Sequence, residues 1–197
     1  QFGGAVGTLA AIGTSAPAET EGSGAAGQMP AASDDRGLAV AEALARRLDL
    51  PAPPVPWHTN RSRPVEPAAA LGQAAGAAGK IGTDVVLLAQ TEVGEVAEGQ
   101  PGASSSMPHK RNPTAAVTAV AAARRTPGLV ATMLVAMPGE QERAAGAWQT
   151  EAETLAELLR LTGVGVAAAR RSLEGLEVFS ERMRANVGVS GDLGATD

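Results

Sequence analysis

Hydrophobic positions in this chain recur at helical spacing, and nowhere do they alternate as a half-buried strand requires. Leu155, Leu158, Leu159, Thr162 and Val166 fall at i, i+3, i+4, i+7 and i+11. That spacing predicts a buried stripe on a helix running from about Gln141 to Leu173, weakened locally by Gly163 and Gly165 and closed by Gly175. Ile81, Val85 and Leu88 share one face of an earlier, longer helix, expected from about Arg63 to Glu98. Pro64 and Pro67 are tolerable only in a first turn, which puts the start of regular helix near residues 64–67. A third helix opens with Asn112 as its cap and Pro113 at its first position. Val130, Leu134 and Met137 continue it, Pro127 is expected to kink it, and Pro138-Gly139 marks its end.

The remaining segments are shorter or less regular. Asp34 or Asp35 can cap a helix reaching about Leu48, which PAPPVP at 51–56 terminates because proline cannot continue the ladder. Residues 1–14 are small and apolar, either the tail of a helix begun upstream or a flexible end. Residues 15–35 read as a loop, and 179–186 as a last short helix. No internal repeat is visible. Long helices joined by short connections imply an all-α chain folded as a long antiparallel helical bundle.

Composition narrows this picture. Alanine is abundant and the aromatics are only Phe2, Trp57, Trp148 and Phe179, a set that suits closely packed helices and fits a β-sandwich poorly. The 197 residues suffice for one domain with a core. A net charge of −5 speaks against nucleic acid as a partner. The most apolar stretch, 113–137, is interrupted by Arg124, Arg125 and Pro127, so no membrane span is expected. No secretory signal is visible within these residues, though one could have preceded Gln1, and a cytoplasmic location is expected. The lack of cysteine excludes disulfides and thiolate chemistry, and His58 and His109 alone cannot build a His-rich metal site. The chain opens on Gln1 and closes at Asp197 after a glycine-rich stretch, so a truncated or processed chain is expected.

Candidate chemistry lies in the loop at 99–113. Its core, Gly102-Ala103-Ser104-Ser105-Ser106-Met107-Pro108-His109-Lys110-Arg111-Asn112-Pro113, is rich in hydroxyls and exposed backbone donors. Lys110 lies just before a predicted helix N-terminus, where an ammonium and the helix dipole together favour an anion, most naturally a carboxylate. A serine hydroxyl is too weak a base to take a carbon-bound proton unless donors and a cation stabilise its oxyanion. This loop contains both ingredients. A Ser-rich linker followed by an ordinary helix cap has the same composition.

The segment SSSMPHKRNP resembles the signature loop of the fumarase/aspartase superfamily, Gly-Ser-Ser-x-Met-Pro-x-Lys-x-Asn-Pro. RSRPVEPAAALGQAAGAAGKIGTDVVLLAQTEVGEVAE is similar to the long central helix leading into that loop. ERAAGAWQTEAETL at 142–155 and LEGLEVFSERMRANV most resemble the cycloisomerase branch, while MPHKRNP also suits the adenylosuccinate-lyase branch. The chain departs from these patterns at Ala103, where glycine is usual, at Ser62, at Pro64 and Pro67, and at Gln149 and Ala152.

The resemblance implies a cofactor-free, metal-free enzyme acting on a small di- or tricarboxylate, with Ser104 as catalytic base. It implies substrate binding by Lys110, Asn112 and Ser105, and candidate roles for Arg61 and Arg143. Arg61 and Arg63 equally suit a solvated helix end, as do their neighbours Thr59 and Asn60. Trp148 either lines the site or packs in the core. In the cycloisomerase branch the leaving group is the substrate's own carboxylate, so the product is a lactone. The resemblance further implies a homotetramer with composite active sites. Residues 1–187 would form the central helical domain and 188–197 a tail towards a C-terminal domain, with the acid-associated histidine segment upstream of Gln1. A non-catalytic helical oligomerisation fragment is the remaining reading.

Overall fold

The computed structural model describes Leu9 and residues 36–52, 54, 59–102, 111–141 and 144–189. Among the described residues there are five α-helices: α1 (Arg36–Arg47), α2 (Ser62–Leu88), α3 (Thr114–Val135), α4 (Glu151–Leu173) and α5 (Ser180–Val189). Two short strands, β1 (Val96–Ala97) and β2 (Glu177–Val178), pair antiparallel with Val96 opposite Val178. The chain falls into two compact units, Gln1–Ser62 with Ala136–Gln149 and Arg63–Val135 with Thr150–Asp197.

In the larger unit α2, α3 and α4 pack side by side. Gly72 faces Val130 and Gly79 faces Ala123, so α2 and α3 run antiparallel. Arg125 pairs with Glu157 and Gly165 faces Ala122, which makes α3 and α4 antiparallel too. The core has a narrow waist of Ala78, Ala119, Ala168 and Ala169. Larger side chains fill its two ends: Val65, Met133 and Leu158 at one, Val85 and Val96 at the other. Small residues at the waist let the helices close. A Cβ built on Gly79 would stand 2.4 Å from the Ala123 Cβ, nearer than any real packing contact.

The helix bounds differ from the sequence expectation at several ends. The α2 helix starts at Ser62, because Asn60 Oδ1 accepts from the Ser62 amide at 3.2 Å and its hydroxyl at 2.7 Å. Pro67 therefore sits inside the helix rather than in its first turn. The same helix ends at Leu88, ten residues short of Glu98, and the chain turns through 89–95 into β1. Neither two-residue strand is long enough to leave a period-2 signal. The α4 helix begins at Glu151, preceded by a single 3-10 turn at Trp148–Thr150. It ends as expected, with Glu174 as cap and Gly175 in the left-handed region at φ +75°.

Some stripe positions also move. Leu159 and Val166 are exposed, and the buried face of α4 is Leu158, Leu161, Thr162, Gly165, Ala168, Ala169 and Ser172. On α3, Leu134 is exposed and Met133 is buried in its place; beyond the helix, Met137 is exposed. The α3 helix continues through Pro127. Proline has no N–H for the Ala123 carbonyl one turn back, and the Thr126 hydroxyl donates to that carbonyl at 2.8 Å instead.

In the smaller unit, Leu9 lies against Gly37 of α1, and an isolated bridge joins Asn60 to Pro138. Asp34, Asp35 and most of residues 1–35 lie outside the described residues.

Candidate active site

The loop singled out in the sequence is flanked by Gly102 on one side and Arg111 on the other. Its two feet meet: the Gly102 amide donates to the Asn112 carbonyl at 2.9 Å, and the Asn112 amide to the Gly102 carbonyl at 3.5 Å. Glycine gives room at the first foot for the Thr114 methyl. A Cβ there would stand 2.2 Å from Thr114 Cγ2.

The N-terminus of α3 is capped from a distance. Glu98, only 3% exposed, accepts from the Ala116 amide at 2.8 Å through Oε1 and from the Ala115 amide at 3.2 Å through Oε2. Asn112, expected as the cap, instead accepts the Thr114 amide with its backbone carbonyl at 2.8 Å. The expectation of a helix terminus open to a substrate anion is therefore corrected. The first-turn amides of Ala115 and Ala116 already hold a carboxylate of the protein itself.

Arg111 ties the returning foot to β2. Its Nη1 donates to Glu177 Oε2 at 3.1 Å and its Nη2 to Glu177 Oε1 at 2.9 Å, a two-pronged pair. Nη2 also reaches the Glu98 carbonyl at 3.4 Å. The hydrogen bonds and charge of this pair hold the Glu177 carboxyl below the ordinary glutamate value and raise Arg111 above its own. Nearby, α5 is held to the turn after α2. Arg182 donates to the carbonyls of Val93 and Glu92, and Asn186 to the Val93 carbonyl and the Glu95 carboxylate.

Beside these feet lies a groove of about 1210 Å³, lined among others by Thr91, Arg111, Asn112, Thr114, Thr118 and Phe179. Of the sequence candidates, the structure places Asn112 half-buried in this groove wall. Arg61 is half-buried in the smaller unit, just ahead of α2. Ser104, Ser105, Lys110 and Arg143 lie outside the described residues, as do His58 and His109. Trp148, weighed as a core residue, is 53% exposed. Asn60 serves as a helix cap.

Glu98, Glu177 and Arg111 were not among the sequence candidates. Glu98 sits where the sequence reads as the last residue of a helix, and Glu177 lies 66 positions from Arg111, so no local pattern links them. Among the described residues, no cluster of three or more His, Cys, Asp or Glu side chains is arranged to hold a metal, and no helix is long and apolar enough to cross a membrane.

The described residues thus form a bundle of long antiparallel helices, with Gly102 and Asn112 paired at the two ends of the serine-rich segment. The family model described as "Lyase" matches residues 8–128, and the chain belongs to this family, within the fumarase/aspartase superfamily. The 3-carboxy-cis,cis-muconate cycloisomerase of Pseudomonas aeruginosa is 48% identical over 193 residues, which is 96% of this chain and 38% of that protein. The crystal structure of the 3-carboxy-cis,cis-muconate lactonizing enzyme from Pseudomonas putida matches with a TM-score of 0.78 at 44% identity, covering 98% of this chain and 38% of that one. The nitrosuccinate lyase of Streptomyces davaonensis is 43% identical over 161 residues, 80% of this chain and 34% of that protein. The chain thus spans well under half the length of these relatives.

Proposed function

We propose that this chain is the central segment of a 3-carboxy-cis,cis-muconate cycloisomerase, acting in aromatic degradation through the β-ketoadipate pathway. The observation that carries the reading is the 48% identity to such an enzyme over 96% of the chain. Residues 1–187 are then the central helical domain and 188–197 lead towards a further one. The complete enzyme is a cytoplasmic homotetramer with composite sites, using neither metal nor organic cofactor.

In the lactone-forming direction, an oxygen of one substrate carboxylate adds to an alkene carbon and the adjacent carbon gains a proton. The Ser104 hydroxyl supplies that proton. In the reverse direction its oxyanion removes it, and the C–O bond breaks to release the carboxylate. Both directions pass through an aci-carboxylate carrying extra negative charge, and stabilising that charge is the catalytic task. With the α3 terminus occupied by Glu98, this charge falls to side chains: Lys110 and Asn112 at the loop's return, with Ser105, Arg61 and Arg143 as further carboxylate ligands.

The 43% identity to nitrosuccinate lyase favours a second reading, the same loop acting on nitrosuccinate. The test uses the full-length protein containing this segment, assayed with 3-carboxy-cis,cis-muconate, nitrosuccinate and adenylosuccinate. Lactone formation from the muconate is expected, with Ser104→Ala lowering kcat by about a thousandfold or more at unchanged thermal stability. Turnover of only one of the other two substrates overturns the proposal, and Ser104→Ala activity within about tenfold of wild type removes Ser104 from its role.

A further inference from the structure

We infer that Glu177 is a positioning residue for Asn112, acting through Arg111. The inference rests on the reading of Asn112 as a substrate ligand. Asn112 is held on one side by the backbone bridge to Gly102, whose return bond, from the Asn112 amide, is long at 3.5 Å. Its other neighbour is Arg111, whose guanidinium fork is engaged by both oxygens of Glu177 and reaches the Glu98 carbonyl. Glu177 stands in β2, directly opposite Ala97 of β1, so its backbone is fixed by the ladder that leads to Glu98 and the loop. Arg111 therefore ties the returning foot of the loop to the edge of that ladder.

The side chains of Arg111 and Glu177 are 43% and 46% exposed, where a single-contact ion pair contributes little. The two-pronged geometry makes this pair directional: a planar fork on a carboxylate restricts rotation as well as distance. The pair has a second consequence. Arg111 lines the same groove as Asn112, and its charge is committed to Glu177. An anionic substrate entering that groove is thereby directed to the neighbouring ligands and not to Arg111.

The experiment uses the full-length enzyme and three variants: Glu177→Gln, Glu177→Asp, and the exchange Arg111→Glu with Glu177→Arg. Glu177→Gln is expected to lower kcat about fivefold with KM within about twofold of wild type, since the Asn112 ligand remains but its placement is lost. Hydrogen exchange at the Gly102 and Asn112 amides should accelerate in the same variant. Glu177→Asp, which keeps the charge but withdraws it by one methylene, should fall between, and the exchange should recover both readouts in part. Wild-type kcat in Glu177→Gln overturns the inference, whether or not amide exchange changes. So does a fall in kcat with amide exchange unaltered at both positions. If the wild-type enzyme fails to turn over the muconate, the functional reading falls, and the amide exchange rates alone then decide whether Glu177 anchors Asn112.

Discussion

The Glu98 carboxylate accepts the Ala116 amide at 2.8 Å, closing the first turn of α3 from seventeen and more residues upstream. Because the Ala116 donor is buried and the Ala115 donor half-buried, removing the acceptor leaves at least the first unsatisfied. Glu98→Ala is expected to destabilise the fold by about 1–3 kcal/mol, and Glu98→Gln by less because one acceptor oxygen remains. Urea unfolding of the full-length protein, followed by circular dichroism, measures both. Equal stability of Glu98→Ala and wild type would show that water replaces the carboxylate without cost.

Gly102 leaves no room for a side chain beside the Thr114 methyl. The added methyl of Gly102→Ala meets Thr114 Cγ2 at 2.2 Å, so the Thr114 side chain, the loop foot or the start of α3 must shift. A loss of about 1–3 kcal/mol is expected, typical of overpacking. Thr114→Ser removes the clashing methyl. The double variant Gly102→Ala with Thr114→Ser should regain most of the loss, a non-additivity that thermal unfolding reads directly.

Thr126, 1% exposed, occupies the Ala123 carbonyl that Pro127 cannot serve. Thr126→Val keeps the shape but strands that carbonyl, at a cost of about 1 kcal/mol or somewhat more. Replacing Pro127 by alanine supplies the missing backbone N–H. Thr126→Val should therefore cost less in a Pro127→Ala background than in wild type. Equal costs in the two backgrounds would argue against the compensation.

Two paired carboxylates, exposed Glu177 and half-buried Glu157, should shape stability at acid pH. Glu177 is held below its ordinary value by Arg111, and Glu157 by Arg160 first and Arg125 in addition. A carboxyl with a depressed folded-state pKa contributes stability that is fully present above its unfolded-state value. That contribution disappears as pH falls through the folded-state value. The double variant Glu157→Gln with Glu177→Gln should thus lie below wild type at neutral pH and converge with it in acid. Urea midpoints recorded across that range check the sign.

Much of the architecture was legible in local spacing. The end of α4 at Gly175 and the closely packed Ala-rich helices follow from residues within a few positions of each other, and the serine loop was visible as a motif. The misplaced ends have local causes as well. Asn60, two residues ahead of Ser62, starts α2 early by bonding its amide and hydroxyl. The helix read as reaching Glu98 ends at Leu88, and β1 at Val96–Ala97 is too short for its period to separate strand from helix. Leu159 and Val166 lie four residues beyond Leu155 and Thr162, at helical spacing, yet face outward. Spacing defines a face, whereas the neighbouring helices decide how wide a sector of it is covered.

From its residue order alone, this chain is an all-α bundle bearing a hydroxyl-rich loop with a family signature, since helical periodicity, capping and turn chemistry act over a few residues. Folding in three dimensions decided what surrounds that loop: the carboxylate of Glu98 on the α3 amides, Glu177 on Arg111 across 66 positions, and a groove wall containing Asn112. Such pairings depend on which distant segments the packed helices bring within about 3 Å, the range of a hydrogen bond, and no spacing along the chain encodes that.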